Sequence, residues 1–336
     1  MKLPQIAVAS LGGTITMTAS SAHAGVAPSL GADELVAAVP ALAQIARIHA
    51  ATLATLPGAS LSFTDVFAGL DYARTAVTEG ATGVVLIQGT DTLEETAYLL
   101  DLHWDRPEPL ILTGAMRSPA RAGADGPANL QAAVLTAADP QSQNMGVLVV
   151  LDDEVHAAAR VRKMDTTATG AFQSPNFGPL GRIREDAVVY GNRPARWPHL
   201  PRPTMTHPPR VALIETCLGD DTELLRLALD NGYDGVVIAA FGAGHVSRQL
   251  AELVSQATAT VPVVFASRTG AGTTLSRTYG FVGSERDLLA RGAVAAGWLD
   301  PRKTRLLLWS LIAQKASREA ITTEFTRRGG APHGPH

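Results

Sequence analysis

The chain has a single cysteine, Cys217, among 336 residues. One thiol cannot close an internal disulfide or supply a cysteine-rich zinc site, and it gives no sign of an oxidising compartment. An excess of either charge is also missing: 28 basic residues face 31 acidic ones, a formal balance of -3. Without a polybasic footprint, a nucleic-acid partner is not expected. No apolar run reaches the ~18 residues of a membrane span, and the Ala-rich stretch Ala41 to Ala54 is broken by Gln44, Arg47 and His49. The start, Met1-Lys2-Leu3-Pro4-Gln5, has neither the longer apolar segment nor the small-residue cleavage site of a signal peptide. A soluble, cytoplasmic protein with no membrane partner is therefore expected. The G-x-G-x-x-G dinucleotide fingerprint is absent, as are internal repeats and low-complexity tracts. What is present is apolar: 46% hydrophobic against 18% charged residues excludes disorder as the main state. At roughly 100–200 residues per domain, the length suits two domains, each with a real core.

Short apolar runs alternate with amphipathic ones. Ile6 to Ala9, Val84 to Ile87, Leu110 to Thr113 and Val147 to Leu151 are continuous apolar or β-branched runs, as expected of strands covered on both faces. Between them, Thr64 to Arg74, Leu93 to Leu102 and Asn129 to Ala138 carry helical spacing. Strand–helix alternation implies a parallel sheet flanked by helices. The run Asn192 to Pro209 holds six prolines (Pro194, Pro198, Pro201, Pro203, Pro208, Pro209) and no periodic face, which predicts a stiff, extended linker. Beyond it the alternation resumes: strands at Val211 to Ile214, Val236 to Ala240 and Val261 to Ala266, and helices at Leu224 to Leu229, Ser247 to Val254 and Pro301 to Ala313, the last capped by Asp300. The expected organisation is α/β in two domains. A larger N-terminal parallel-sheet domain (1–190) is joined by a proline-rich linker (191–209) to a smaller C-terminal α/β domain (210–336). The tail from Arg327 is expected to fray.

Ligands of open parallel sheets sit beyond the carboxyl ends of the strands, so the residues that follow each strand are the informative ones. After the first comes Gly12-Gly13-Thr14-Ile15, where two glycines allow a tight turn and Thr14 offers a hydroxyl. A packed threonine in a plain turn fits this segment alone as well. After the second comes Gly89-Thr90-Asp91-Thr92-Leu93-Glu94-Glu95-Thr96. Thr92 and Glu95 have capping-box spacing, which accounts for helix initiation but not for Thr90 and Asp91 ahead of it. The helix N-terminus there also suits an anion such as a substrate carboxylate. Gly114-Ala115-Met116-Arg117 follows the next strand, Ala124-Asp125-Gly126-Pro127 opens a helix, and Lys163 lies in Arg160 to Thr167. Lys163 on its own reads as a solvated surface residue.

Together these segments resemble the asparaginase/glutaminase family of the bacterial type, the threonine amidohydrolases. Gly12-Gly13-Thr14-Ile15 matches one family signature and Gly89 to Thr96 the other. Gly114 to Arg117, Ala124 to Pro127, Asn176-Phe177-Gly178-Pro179-Leu180-Gly181, Ser267-Arg268 and the stretch from Ala296-Gly297 to Leu308 follow in family order, so the likeness covers nearly the whole chain. It implies hydrolysis of asparagine to aspartate and ammonia, with minor action on glutamine and no metal or cofactor. Thr14 then matches the nucleophile, and Thr90, Asp91 and Lys163 match the family's second threonine, aspartate and lysine. Amide hydrolysis needs a nucleophile, its activation and donors to the developing oxyanion. By the resemblance, the lysine–aspartate cluster activates Thr90 and the attacking water, Asp91 grips the substrate ammonium, and backbone N–H groups of Thr90 and Ala115 face the oxyanion. Gly89, Ala59 and Ser60 complete the expected substrate contacts.

Some positions depart from the family. The loop Thr16 to Pro28 lacks the family's lid tyrosine, and His23 is its candidate base. In the second domain, Gly242-Ala243-Gly244-His245 has His245 where the family often has asparagine, and Tyr279 is the nearest candidate after Ser267-Arg268. Such residues reach a neighbour's site, so the resemblance implies a homodimer or homotetramer. Two other readings stand beside it: a tRNA-linked amidotransferase subunit, which needs an RNA-facing basic surface, and a non-catalytic amino-acid-binding module on the same scaffold.

Overall fold

The computed structural model describes residues 3–19 and 26–330. The chain divides into two units, Met1–His199 and Leu200–His336. The division falls inside the proline-rich run, which has neither helix nor strand between Tyr190 and Val211. Each half of the run is pinned to its own unit. Arg193 and Arg196 donate to Gln141, Gln143 and Asp101, whereas the carbonyl of Pro201 accepts from Gln314.

The N-terminal unit is built on an eight-stranded sheet. From one edge to the other its strands are Ala187–Tyr190, Gly181–Arg184, Glu154–Ala157, Val147–Leu151, Leu110–Thr113, Gly83–Ile87, Gln5–Gly12 and Arg47–Leu56. The last five run parallel. The first three are joined antiparallel, which the alternation of strands and helices does not anticipate. The reason lies in two tight hairpins. Asp152 and Asp153 turn at φ 52° and 59°, and Glu185 and Asp186 at 49° and 61°. Two successive positive φ values are the mark of a hairpin turn matched to strand twist. They are occupied here by carboxylate residues rather than by the Asn-Gly or Asp-Gly pair that announces such turns. The edge strand Arg47–Leu56 was also not foreseen, because alanine and threonine occupy half of its ten residues and no continuous apolar run marks it.

Helices cover both faces of the parallel strands. On one face Leu35, Val39, Leu42, Leu130 and Val134 pack with Val8, Val85, Ile87, Ile111 and Leu148. On the other lie the helices Phe63–Thr78 and Leu93–His103, with Phe67, Leu70, Leu99 and Leu102 buried. Ser62 opens the first of these as an N-cap and exchanges hydrogen bonds with Asp65, a reciprocal capping box. The order of the parallel strands matters most for function. The chain leaves Gln5–Gly12 for the edge strand, then crosses back to Gly83–Ile87 on the opposite side of its starting strand. Gln5–Gly12 and Gly83–Ile87 therefore flank a topological switch point, where a crevice opens beyond the carboxyl ends. The helix Gly126–Ala138 shares a face with the first crossover although its connection travels the other way. These two crossovers therefore have opposite hand, against the general rule.

The C-terminal unit has four parallel strands in chain order: Val211–Glu215, Gly235–Ala240, Val263–Ser267 and Val294–Ala295. Leu225, Leu250, Val254 and Leu288 from three successive helices form one core with Ile214, Ile238 and Phe265. The helix Pro301–Ala313 packs on the same sheet and is capped by Asp300, which accepts from the N–H groups of Arg302 and Lys303. Arg318–Gly329 is helical, with Arg328 buried and paired to Glu324, so the fraying expected from Arg327 does not hold for Arg327 to Gly329, and the rest of that tail, 331–336, lies outside the described residues. Among the described residues, no helix is long and apolar enough to cross a membrane.

Candidate active site

The carboxyl ends of the parallel strands in the N-terminal unit bring four loops together, and glycines make this possible. Gly12 and Gly13 turn at φ 106° and 97°, in the region that disfavours side chains. A Cβ on Gly13 would stand 2.1 Å from the Gly89 nitrogen. A Cβ on Gly89 would stand 2.6 Å from the Gly58 nitrogen and 3.2 Å from the Gly13 Cα. The turns that carry Thr14, Ser60 and Thr90 thus meet backbone to backbone through Gly13, Gly58 and Gly89. Thr14 opens a single 3-10 turn, Thr14–Thr16, in which the Thr16 hydroxyl and N–H both bond the Gly13 carbonyl.

Thr92 does not act as its sequence spacing suggests. It stands at the N-cap of Leu93–His103, yet its side chain makes no cap hydrogen bond. The hydroxyl instead donates to the Gly58 carbonyl at 2.8 Å, tying the Gly58–Ser60 turn to the Thr90 loop. The capping-box assignment of Thr92 and Glu95 is corrected accordingly: a capping hydroxyl accepts from its own helix, whereas this one is turned toward the neighbouring turn, donating to Gly58 and accepting from Gln88 Nε2. Ala59 and Ser60 are exposed on that tethered turn.

Around Thr90 the polar groups close into an array. Thr90 is buried, while the Asp91 side chain is 59% exposed and that of Lys163 19%. Lys163 Nζ donates to Thr90 Oγ1 at 2.9 Å and to Asp91 Oδ1 at 3.3 Å. Lys163 thus spans 73 residues of sequence to join a buried hydroxyl and an open carboxylate. Its backbone belongs to a short antiparallel pair, Arg162–Lys163 with Phe172–Gln173, in which Phe172 faces Lys163.

Ala115 lies fully buried in the loop after Leu110–Thr113. Sequence reasoning passed over the residue that shapes this loop. Asp125 accepts the N–H groups of Met116 and Arg117, both at 2.9 Å, and Asn129 Nδ2 bonds both Asp125 and the Gly114 carbonyl. The Ala124-Asp125-Gly126-Pro127 motif was the available signal. A Cβ on Gly114 would lie 3.5 Å from the Thr90 methyl group, which places this loop against the same array.

His23 lies outside the described residues. The strands before and after it in the sequence, Met17–Ala19 and Val26–Pro28, pair antiparallel. His245 and Tyr279 sit together in the C-terminal unit, their rings edge to face with centroids 4.7 Å apart. His245 Nε2 lies 3.2 Å from Glu285 Oε2, and Glu285 Oε1 accepts the N–H groups of Thr278 and Tyr279. Sequence reasoning found this histidine and tyrosine separately but not the buried glutamate that joins them.

Comparison with known proteins gives the family. Residues 5–196 match the family described as Asparaginase, N-terminal, and residues 210–325 match the Glutaminase/Asparaginase C-terminal domain. The chain is 36% identical over 330 residues to a probable periplasmic L-asparaginase of Haemophilus influenzae, covering 96% of this chain and 93% of the relative. It is 33% identical over 334 residues to L-asparaginase 2 of Escherichia coli, covering 97% and 94%. The crystal structure of a probable cytoplasmic L-asparaginase from Campylobacter jejuni superposes with a TM-score of 0.86 at 29% identity, over 96% of this chain and 99% of that one. With two family domains spanning both units and full-length relatives, the chain belongs to the asparaginase family of amide hydrolases.

Proposed function

We propose that the protein hydrolyses the side-chain amide of L-asparagine to L-aspartate and ammonia, with glutamine as a minor substrate, through Thr14 as nucleophile. The observation that carries this reading is Lys163 Nζ held between Thr90 Oγ1 and Asp91 Oδ1 beside the turn of Thr14, at the switch point of the sheet. A non-catalytic binding pocket has no need of a lysine bridged to a buried hydroxyl.

The chemistry follows from the donor inventory. Thr90 Oγ1 accepts from Lys163, which leaves its own O–H hydrogen to donate into the crevice. Thr14 Oγ attacks the amide carbon, and its proton passes to the departing nitrogen, which leaves as ammonia. Water, oriented by the Thr90–Lys163–Asp91 array, then cleaves the resulting ester to aspartate and restores the Thr14 hydroxyl. Backbone N–H groups of Thr90 and Ala115 are assigned to the oxyanion, a role worth about 3 kcal/mol per donor. Asp91, open to solvent, holds the substrate ammonium, and the Ala59–Ser60 turn with Gly89 receives its carboxylate. One extra methylene separates glutamine from asparagine, a difference of about 1–3 kcal/mol in a fitted pocket, which makes glutamine the weaker substrate. The reading includes a homo-oligomer in which the His245–Tyr279 pair of one copy faces the site of another. Ammonia release from asparagine, compared between wild type and Thr14→Ala, tests the proposal. An unchanged rate in the variant removes Thr14 from the mechanism.

A further inference from the structure

The mechanism leaves one buried carboxylate at the site without a task. Glu94 lies in the first turn of the helix Leu93–His103, immediately after Thr90 and Asp91, and is only 1% exposed. An acidic residue in a first helical turn is ordinary, since it offsets the positive end of the helix. That effect works at a solvated surface and does not require burial. Burying a carboxylate is costly unless hydrogen bonds replace its water. Glu94 Oε2 accepts the backbone N–H of Lys163, the residue whose side chain returns to Thr90.

These contacts close a ring. It runs from Thr90 through Asp91 and the first helical turn to Glu94, across to the Lys163 backbone, and along the Lys163 side chain back to Thr90 Oγ1. A lysine side chain has four rotatable bonds, so its Nζ is placed only as well as its Cα is held. The opposite strand of the Lys163 pair has its own anchor. Ser174, next after Gln173, shares a hydrogen bond of 2.9 Å with the buried ring of His156, and the Met164 N–H bonds the Ala171 carbonyl at 2.7 Å. The Lys163 segment is thus fixed to the sheet on one side and, through Glu94, to the helix of the Thr90 loop on the other. The Glu94 contact ties the Lys163 backbone to the helix that follows Thr90.

We propose that Glu94 is a positioning residue: its carboxylate clamps the Lys163 backbone so that Nζ stays within hydrogen-bond reach of Thr90 and Asp91. This rests on the role given above to Lys163. The test is a double-mutant cycle on the full-length protein, following kcat and KM for asparagine by ammonia release and checking the fold by circular dichroism. Glu94→Ala is expected to lower kcat about 100-fold with KM within about 3-fold, because an interaction that acts on the reacting groups rather than on ground-state binding is lost. Glu94→Gln keeps an acceptor oxygen and is expected to lose only about 3- to 10-fold. In a Lys163→Met background either change is expected to cost less than about 2-fold, since residues that act as a unit are not additive. Wild-type turnover in Glu94→Ala overturns the proposal, as does an equal loss in both backgrounds, the signature of a merely structural role. If Glu94→Ala does not fold, Glu94→Gln in the same cycle decides by the same criterion. Wild-type turnover in Lys163→Met is a different result: it refutes the role of Lys163 itself, and the Glu94 proposal with it.

Discussion

The two sheets of this protein have the same ingredients and opposite consequences. Both are parallel at their centres, both carry helices between strands, and both end their strands in glycine-containing turns. In the N-terminal unit the chain reverses its direction of travel between Gln5–Gly12 and Gly83–Ile87, whereas in the C-terminal unit the four strands follow one another in order. Reversal separates the loops after two neighbouring strands and opens a crevice between them, while a sequential order leaves none. The glycines differ to match. Gly13, Gly58 and Gly89 stand where any Cβ would strike a neighbouring backbone, so their turns converge. Gly242 and Gly272 leave room for a Cβ, and their turns are joined instead by hydrogen bonds, from the Ser267 hydroxyl to the Gly242 carbonyl and from the Leu275 N–H to the Ala243 carbonyl. The carboxylates differ as well. Asp91 remains 59% exposed beside Lys163, whereas Glu285 is fully buried, its two oxygens taken by the Thr278 and Tyr279 N–H groups and by His245. An open carboxylate is available to a substrate; a saturated one holds a loop.

The contrast can be broken in order of expected effect. Thr14→Ala removes the proposed nucleophile and should reduce asparagine turnover by roughly four orders of magnitude or more, with the fold intact. Lys163→Met should abolish most turnover, yet calorimetry should still detect aspartate binding, because Asp91 and the Ser60 turn remain; full activity would place the proton route elsewhere. Gly89→Ala should lower kcat about 100-fold by driving three turns apart, since displacements near 1 Å at a reacting centre cost about that much. Gly191→Ala, with nothing near its Cβ and no left-handed φ, is the matched control and should be silent. In the C-terminal unit, Glu285→Ala strips two backbone N–H groups of their acceptor and should destabilise that unit by about 3–5 kcal/mol. A Glu285→Ala protein as stable as wild type would show that the aromatic cluster is not held by its carboxylate.

Much of this was legible in the sequence, and the failures share a cause. The buried parallel strands announced themselves because residues such as Val84 to Ile87 are apolar on both faces. Thr90 and Asp91 announced themselves because the helix-initiation spacing of Thr92 and Glu95 leaves them unexplained, whereas Lys163 alone reads as a surface residue and stands out only through the family resemblance. Three things stayed hidden, each depending on contacts distant in sequence. The hairpins at Asp152-Asp153 and Glu185-Asp186 use left-handed backbone without glycine or asparagine. The Thr92 hydroxyl bonds Gly58, 34 residues away, rather than its own helix. Glu94 looks like any first-turn glutamate until the Lys163 backbone appears beside it, 69 residues on. Local pattern reports what a residue can do within its own element; a partner across the fold decides between equal local choices.

The smallest expected effect separates two histidine–carboxylate pairs. In the C-terminal unit the carboxylate is buried and His245 is 20% exposed; in the N-terminal unit His156 is fully buried and Glu154 is 26% exposed. Burial therefore acts on the imidazole of His156. It disfavours the charged ring and pushes its pKa down to about 4, with Glu154 opposing the shift only in part. A histidine whose pKa is lowered in the folded state binds fewer protons than it does in the unfolded chain. Its contribution is therefore complete above pH 6.5, the unfolded value, and erodes as the pH falls toward 4. At pH 5 the loss from this one group amounts to about 2 kcal/mol. His156→Gln retains a hydrogen-bonding partner for Ser174 but does not titrate. Urea unfolding of the N-terminal unit at pH 7 and pH 5 should thus show a stability loss smaller in His156→Gln than in wild type by about that amount. Equal losses would mean that His156 binds protons equally in the folded and unfolded chain across this range, and that the asymmetry between the two pairs is one of geometry alone.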